Sequence, residues 1–200
     1  MARAIYGADP KDFGEIFING KQVDIAKPKD AVNNGLAYLP EDRKRYGLAL
    51  GLDVENNISM ASLMEMSKNG FVDFKKCDEN ANKQAKDLGI KTPSVKQQVR
   101  LLSGGNQQKV VFAKWLTKSS DIIIFDEPTR GIDVGAKNEI YRLINNLAEQ
   151  GKTIIVISSE LPEIIRCCHR VLVMCEGFIT GEVIGNDINQ DTIMKYATMS

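Results

Sequence analysis

The chain has 200 residues, of which 43% are hydrophobic and 26% charged, an ordinary globular composition that excludes intrinsic disorder. Its 26 Lys and Arg residues balance 26 Asp and Glu residues, so it lacks the basic excess of proteins that bind nucleic acid nonspecifically. No apolar run approaches the ~18 residues of a membrane span. The four cysteines lack disulfide-framework spacing, which favours a reducing cytoplasm.

The first half of the chain begins with a predicted β-hairpin. Asn19-Gly20 separates two alternating apolar runs, 15–18 and 21–25, a pattern typical of a two-residue hairpin turn. Capping and periodicity predict four further elements: a helix over 28–34 that stops at Gly35, a strand over 36–39, a helix from Asp53 through Met64, and a helix over 73–88. Residues 41–100 are therefore expected to be mainly helical.

The second half alternates apolar runs with amphipathic helices. The predicted strands are 121–125, 153–157, 171–174 and 178–184, and the predicted helices follow Ser103 and cover 134–150, 161–168 and 188–197. Such alternation predicts βαβ units and a parallel sheet covered by helices on both faces. The expected fold class is α/β, with a helical subdomain and a small antiparallel hairpin added to the sheet.

Two acidic residues, Asp126 and Glu127, directly follow one of the apolar strands. Ligands of open α/β sheets bind at the carboxyl ends of the strands. A carboxylate there suits Mg²⁺, and an adjacent Glu can orient or deprotonate an attacking water. The dipeptide alone is equally consistent with a polar loop after a buried strand.

A second chemical signal is the run Leu102-Ser-Gly-Gly-Asn-Gln-Gln108. Ser103 can cap the helix that follows, and the glycines leave the first backbone amides of that helix uncovered. Bare amides at a helix N-terminus attract phosphate through hydrogen bonds and the helix dipole. The alternative is a simple junction between a loop and a helix.

Taken in this order and spacing, the two segments resemble the nucleotide-binding domain of ABC transporters. Residues 102–108 resemble the signature motif, and Asp121 to Glu127 resembles the Walker B strand. Residues 38–45 and 126–137 are similar to the second, C-terminal ATPase half of monosaccharide importers of the ribose, galactose and xylose type. The similarity covers nearly the whole chain. It implies a partial ABC domain, with the Q-loop and helical subdomain in 41–100 and the signature, Walker B, D-loop and switch regions in 101–200.

The resemblance implies a set of site residues and the cofactors ATP and Mg²⁺. Asp126 is the expected Mg²⁺ ligand, and Glu127 is the expected catalytic carboxylate. The remaining positions are the signature residues Ser103, Gly104, Gly105 and Asn106, the D-loop Asp133, Glu41 at the Q-loop glutamine position and Ser159 at the switch histidine position. In ABC dimers the signature of one domain closes over the ATP held by the other.

The sequence departs from the family pattern in three places. A phosphate loop of the form G-x-x-x-x-G-K-[ST] is missing from the 200 residues. Gly151-Lys152-Thr153 does not replace it, because Asn146 stands at the first glycine position and a predicted helix precedes the segment. The resemblance therefore implies a chain truncated after that loop, and an isolated chain that is inactive. Glu41 and Ser159 in place of Gln and His indicate that the domain's own site is degenerate.

The expected function is the ATP-binding ATPase subunit of an ABC-type sugar importer. Its expected partners are the first nucleotide-binding domain, of the same or an identical chain, and a transmembrane sugar permease, with Arg43 to Arg45 beside the permease. The chain would lie on the cytoplasmic face of the membrane without inserting into it or binding nucleic acid. Two alternatives remain: an inactive structural or regulatory ATPase remnant, and a DNA-repair-type ABC head, which residues 53–100 disfavour because they lack long heptads.

Overall fold

The computed structural model describes residues 1–199. The helices are α1 (Ala2–Ile5), α2 (Pro28–Asn33), α3 (Val54–Ser59), α4 (Phe74–Asp87), α5 (Gly104–Thr117), α6 (Val134–Glu149), α7 (Leu161–Cys167) and α8 (Gln190–Ala197). The strands are β1 (Ile16–Ile18), β2 (Lys21–Val23), β3 (Leu36–Leu39), β4 (Ser67–Lys68), β5 (Phe71–Val72), β6 (Ile122–Asp126), β7 (Thr153–Ile157), β8 (Arg170–Cys175) and β9 (Phe178–Ile184). The chain forms two compact units that divide between Ile155 and Val156.

A three-stranded sheet with the order β3-β6-β7 supports the first unit. Strands β3 and β6 run parallel, and Leu39 lies opposite Phe125. Every residue of β3 is buried, and Ile123, Ile124 and Phe125 are at most 2% exposed, which explains why both strands read as continuous apolar runs. The predicted α/β class with a parallel sheet is confirmed. Because the two strands are parallel, the segments that follow Leu39 and Phe125 leave the sheet at the same edge.

Three two-residue turns form antiparallel hairpins. The predicted hairpin is confirmed as β1 and β2, with Asn19 and Gly20 at φ angles of 50° and 74°. A second turn, Asn69-Gly70, joins β4 to β5 with φ angles of 52° and 83°, and its Asn-Gly signal was overlooked in the sequence. The third joins β8 to β9. The prediction that 171–174 adds a parallel strand is wrong, because Glu176-Gly177 returns the chain at once into β9.

The helical subdomain packs α3 against α4 and α5. Asp53 caps α3 as predicted, since its side chain accepts a 2.8 Å hydrogen bond from the Asn56 amide. The α-helix is shorter than predicted: it ends at Ser59 and continues as a 3₁₀ turn over Met60–Ser62. Met64 is 87% exposed and lies outside any helix. The apolar spacing of this segment therefore continues beyond the end of its α-helix.

The second unit buries a core of its own. Val171, Val173, Val183 and Ile193 form this core where α8 packs on the hairpin of β8 and β9. A Cβ at residue 181 would lie 2.3 Å from the Tyr196 ring, so a glycine is required there for close packing of α8. Among the helices of residues 1–199, none combines the length and the apolar character needed to cross a bilayer.

Candidate functional site

Asp126 stands at the last position of β6, at the edge where β3 also ends. Its Oδ2 atom accepts a 2.6 Å hydrogen bond from the hydroxyl of Tyr38, which lies on β3. Burial, followed by this hydrogen bond to the carboxylate, raises the pKa of Tyr38. The hydroxyl therefore remains a donor and fixes the orientation of the Asp126 carboxylate. Sequence reasoning missed this role of Tyr38, because only the parallel register brings residues 38 and 126 together.

Glu127 follows in a left-handed backbone conformation, with φ of 47°. This conformation costs a non-glycine residue about 1–3 kcal/mol and is concentrated at functional sites. The Glu127 carbonyl accepts a 3.1 Å hydrogen bond from the Arg130 amide, which closes the turn after β6. The turn therefore begins at Glu127, directly after the last residue of β6.

The segment that follows β3 contacts the loop that follows β6. Glu41 forms an ion pair with Arg130. Asp42 accepts hydrogen bonds from the amides of Lys44 and Arg45 at 3.1 Å and begins a π-helical turn over Arg43–Gly47. π-Helical turns are rare and occur frequently at functional sites. Glu41 is therefore tied to the loop that follows β6.

Ser103 precedes α5 but does not cap it with its side chain. Its hydroxyl instead accepts a 2.9 Å hydrogen bond from Nδ2 of Asn106. The Oδ1 atom of Asn106 in turn accepts a 2.8 Å hydrogen bond from the Lys91 amide. The expectation that Ser103 caps the helix is wrong, because Asn106, one turn along, engages the hydroxyl and links it to the loop at residue 91.

The two signature glycines are required by the packing around them. A Cβ at residue 104 would lie 2.8 Å from Nη2 of Arg43 and 3.1 Å from the carbonyl oxygen of Gly131. A Cβ at residue 105 would lie 3.0 Å from the Cβ of Ala136 on α6. Gly104 thus lets the first turn of α5 approach the backbone at Gly131 closely, and Gly105 lets it approach the Ala136 side chain. Neither glycine has a side chain that would cover the leading amides of the helix.

Asp133 and Ser159 are placed by different elements. Asp133 caps α6, and its Oδ1 atom accepts a 3.0 Å hydrogen bond from the Ala136 amide. It therefore has a structural task in addition to the D-loop role that the resemblance implies. Ser159 is exposed and lies two residues after β7, in the second unit. The neighbouring Ser158 hydroxyl accepts a 3.0 Å hydrogen bond from the Glu160 amide, which orders the turn that carries Ser159.

The donor set at the sheet edge fits a magnesium ion held together with a phosphate. Mg²⁺ is commonly bound by one or two carboxylates and substrate phosphates rather than by an all-protein cage. Asp126 supplies a carboxylate of fixed orientation at this edge. Within residues 1–199, His, Cys, Asp and Glu side chains form no group of three or more that could hold a metal.

The parallel sheet with its carboxylates at the strand ends and the glycine-led helix α5 define the ABC class of ATPase. The family described as ABC transporter matches residues 1–130. The chain belongs to this family.

Relatives of known annotation match along nearly the whole chain. A putative ribose/galactose/methyl galactoside import ATP-binding protein of Burkholderia lata is 56% identical over 199 residues, which are 99% of this chain and 39% of that protein. The ribose import ATP-binding protein RbsA of Clostridium tetani is 46% identical over 98% of this chain and 39% of its own length. The chain therefore spans about two-fifths of these relatives.

Solved structures share the fold at low sequence identity. The dimeric, post-hydrolysis structure of the ATP-binding cassette MJ0796 with ADP and Pi has a TM-score of 0.73 at 19% identity, covering 91% of this chain and 78% of that one. The ATP-binding cassette MJ1267 reaches a TM-score of 0.78 at 19% identity, covering 98% and 81%. The predicted P-loop-type ABC fold is confirmed.

Proposed function

We propose that this chain serves as part of the ATP-binding ATPase subunit of an ABC sugar importer. The observation that carries the proposal is the convergence of three segments. The first turn of α5, the loop after β6 and the segment after β3 meet at Gly104, Gly131 and Arg43. The printed names of the relatives, import ATP-binding proteins for ribose and galactose, support sugar as the cargo.

The proposed site is composite, with ATP between two domains. Ser103, Gly104, Gly105 and Asn106 would bind the phosphates of an ATP molecule held by a partner domain, through the uncovered amides at the start of α5. Asp133 would lie at the same interface. The dimeric form of the MJ0796 cassette supports such an arrangement. The partner is the first nucleotide-binding domain of the same or an identical chain.

The chain's own half-site contains Asp126 and Glu127. Magnesium bound at Asp126 would supply charge neutralisation to the ATP phosphates, and Tyr38 keeps the Asp126 carboxylate oriented toward them. Glu127 would orient the attacking water and accept its proton.

We further propose that this half-site is degenerate. Glu41 is engaged by Arg130, and a carboxylate there repels a triphosphate where an amide would not. Ser159 has a short side chain that cannot carry the positive charge of a protonated histidine.

A transmembrane sugar permease completes the proposed assembly, with the chain held on the cytoplasmic face of the membrane. Lys44, Arg45 and Tyr46 are exposed on the π-helical turn and provide a contact surface for it. Two other functions compete with this one. A purely structural ATPase remnant is favoured by Glu41 and Ser159, whereas a DNA-repair head is disfavoured by the balanced charge.

The test is sugar-stimulated ATPase activity of the full-length protein, reconstituted with its permease in liposomes. We expect turnover that needs both the permease and the sugar on the outside. If the complex still transports sugar after substitution of Ser103, Gly104 and Gly105, this chain is a structural remnant. Salt-sensitive binding to duplex DNA, without sugar-dependent turnover, would identify the DNA-repair class instead.

A further inference from the structure

Arg43 links three segments of the first unit. Its Nη1 atom donates a 2.8 Å hydrogen bond to the Arg130 carbonyl, and its Nη2 atom donates a longer one, 3.4 Å, to the Gly131 carbonyl. The same Nη2 atom lies beside Gly104, where a Cβ would come within 2.8 Å of it. A single half-buried guanidinium thus contacts both the loop after β6 and the first turn of α5.

The other end of the π-helical turn is also attached to α5. The ammonium of Lys114, buried on that helix, donates a 2.6 Å hydrogen bond to the Gly47 carbonyl. Gly47 also packs against Val111, whose Cγ2 atom would lie 3.4 Å from a Cβ at residue 47. Both ends of Arg43–Gly47 therefore contact α5, the helix that begins with Gly104.

We propose that Arg43 is a positioning residue that sets the first turn of α5 for its approach to the ATP phosphates, a role that rests on the proposed function. The bidentate geometry carries the argument. A guanidinium presents donors in a fixed fork that spans two consecutive carbonyls, whereas an ammonium is a point charge without that geometry. Gly131 in turn places its carbonyl oxygen 3.1 Å from the Cβ position of Gly104. Arg43 therefore determines how far the loop stands from the signature.

Displacing these amides affects the reaction more than ATP binding. The uncovered amides of α5 act on an ATP that the partner domain already holds, so their contribution increases as the site closes toward the transition state. A misplacement of about 1 Å in such a site can cost on the order of 10²-fold in rate. Loss of an interaction made only in the transition state lowers kcat with little change in KM.

The experiment compares Arg43→Met and Arg43→Lys in the full-length protein with its permease. We expect Arg43→Met to lower the sugar-stimulated kcat by about 10- to 100-fold and to change the KM for ATP by less than about threefold. The kcat of Arg43→Lys should exceed that of Arg43→Met by less than about threefold, because lysine restores the positive charge but not the paired donors of the guanidinium. Arg142→Met, at an exposed arginine on α6, is the matched control and should behave as wild type.

Hydrogen exchange of the same proteins without nucleotide gives a second readout that does not depend on transport. Arg43→Met should speed exchange in residues 128–133 and 101–107 and leave residues 139–147 of α6 unchanged. Full rescue by Arg43→Lys, or a change confined to KM, would overturn the inference and make Arg43 a simple positive charge for phosphate. Unchanged exchange would overturn it as well. A wild-type protein without sugar-stimulated turnover would instead contradict the proposed function.

Discussion

The hydroxyl of Tyr38 donates a 2.6 Å hydrogen bond to Oδ2 of Asp126, across two neighbouring strands of the parallel sheet. This contact joins the strand that leads to the Q-loop position with the strand that carries the predicted magnesium ligand. Groups that orient a metal ligand contribute strongly to metal affinity, even though they do not touch the metal. Tyr38 therefore belongs to the candidate site as an orienting residue for Asp126.

Tyr38→Phe should weaken the magnesium dependence of nucleotide binding. The substitution keeps the ring and removes the hydroxyl, so Asp126 loses the donor that fixes its carboxylate. We expect the Mg²⁺ concentration for half-maximal ATP binding to the full-length protein to rise about 10-fold or more. Tyr141→Phe, at a buried tyrosine on α6, is the control for loss of a tyrosine hydroxyl. An unchanged magnesium requirement in Tyr38→Phe would mean that the Tyr38 hydroxyl does not orient Asp126 for the ion.

The buried lysine on α5 should make stability depend on pH. Burial lowers the pKa of Lys114 from 10.5 to about 8. Between about pH 8 and pH 10 the unfolded chain therefore binds more protons at this residue than the folded chain. The free energy of unfolding should rise with pH in that window, by at most about 1.4 kcal/mol per pH unit from this group.

Urea unfolding of wild type and Lys114→Met across that pH window measures this contribution. The variant should show a smaller increase in the free energy of unfolding with pH, because its residue 114 cannot titrate. Lys83→Met, at an exposed position of α4, should retain the wild-type slope. Equal slopes for wild type and Lys114→Met would show that the ammonium keeps its ordinary pKa.

The turn between β8 and β9 should accept a stabilising substitution. Glu176 adopts a left-handed conformation with φ of 47°, and Gly177 follows with φ of 87°. Asparagine tolerates this conformation better than glutamate and favours two-residue hairpin turns before glycine. Glu176→Asn should raise the free energy of unfolding by about 0.5–1 kcal/mol. The reciprocal change Asn19→Glu, at φ of 50° in the first hairpin, should lower it, and a gain there would refute the conformational argument.

Local signals predicted the elements whose partners are close in sequence. Asn19-Gly20 correctly predicted the first hairpin, and Asp53 correctly predicted the start of α3. Each feature depends on the backbone preferences of a few neighbouring residues. The apolar runs of β3 and β6 correctly predicted buried parallel strands, because a strand that is covered on both faces does not alternate apolar and polar residues. Strand β8 reads equally apolar, yet it pairs antiparallel with β9. Its exposed Leu172 and Met174 alternate with buried Val171 and Val173, a pattern that indicates a one-sided strand.

The candidate site was predictable in its residues but not in its contacts. The order of Ser103-Gly104-Gly105 and Asp126-Glu127 carries the family resemblance, and that resemblance implies their site roles. The Arg43 side chain donates hydrogen bonds to the carbonyls of Arg130 and Gly131, which lie 87 and 88 residues away in the sequence. No local sequence pattern indicates these contacts. The sequence predicts Arg43 and Arg45 together beside the permease, whereas in the structure Arg43 is half-buried and its guanidinium lies beside Gly104.

The two ATP sites of the full transporter should contribute unequally to turnover. Gly104→Asp places a Cβ 3.1 Å from the carbonyl oxygen of Gly131, and its carboxylate adds negative charge where the phosphate is proposed to approach. The loss at the composite site should be about 10²–10³-fold in sugar-stimulated ATPase rate, the scale of removing an electrostatic stabiliser. Under the proposed function, Glu127 serves the chain's own half-site, which is proposed to be degenerate. Glu127→Gln should therefore cost less than about tenfold, short of the 10²–10⁴-fold of a working general base.

Both variants are to be measured in the full transporter together with Gly51→Asp. Gly51 is the matched glycine control, because a Cβ there meets no atom within 4 Å, so a carboxylate at that position should leave turnover near wild type. Unfolding midpoints of all three variants separate loss of activity from loss of fold. Should Glu127→Gln prove as damaging as Gly104→Asp in folded protein, this half has a working catalytic site of its own. The degenerate-site proposal then fails, while the composite site at the signature stands.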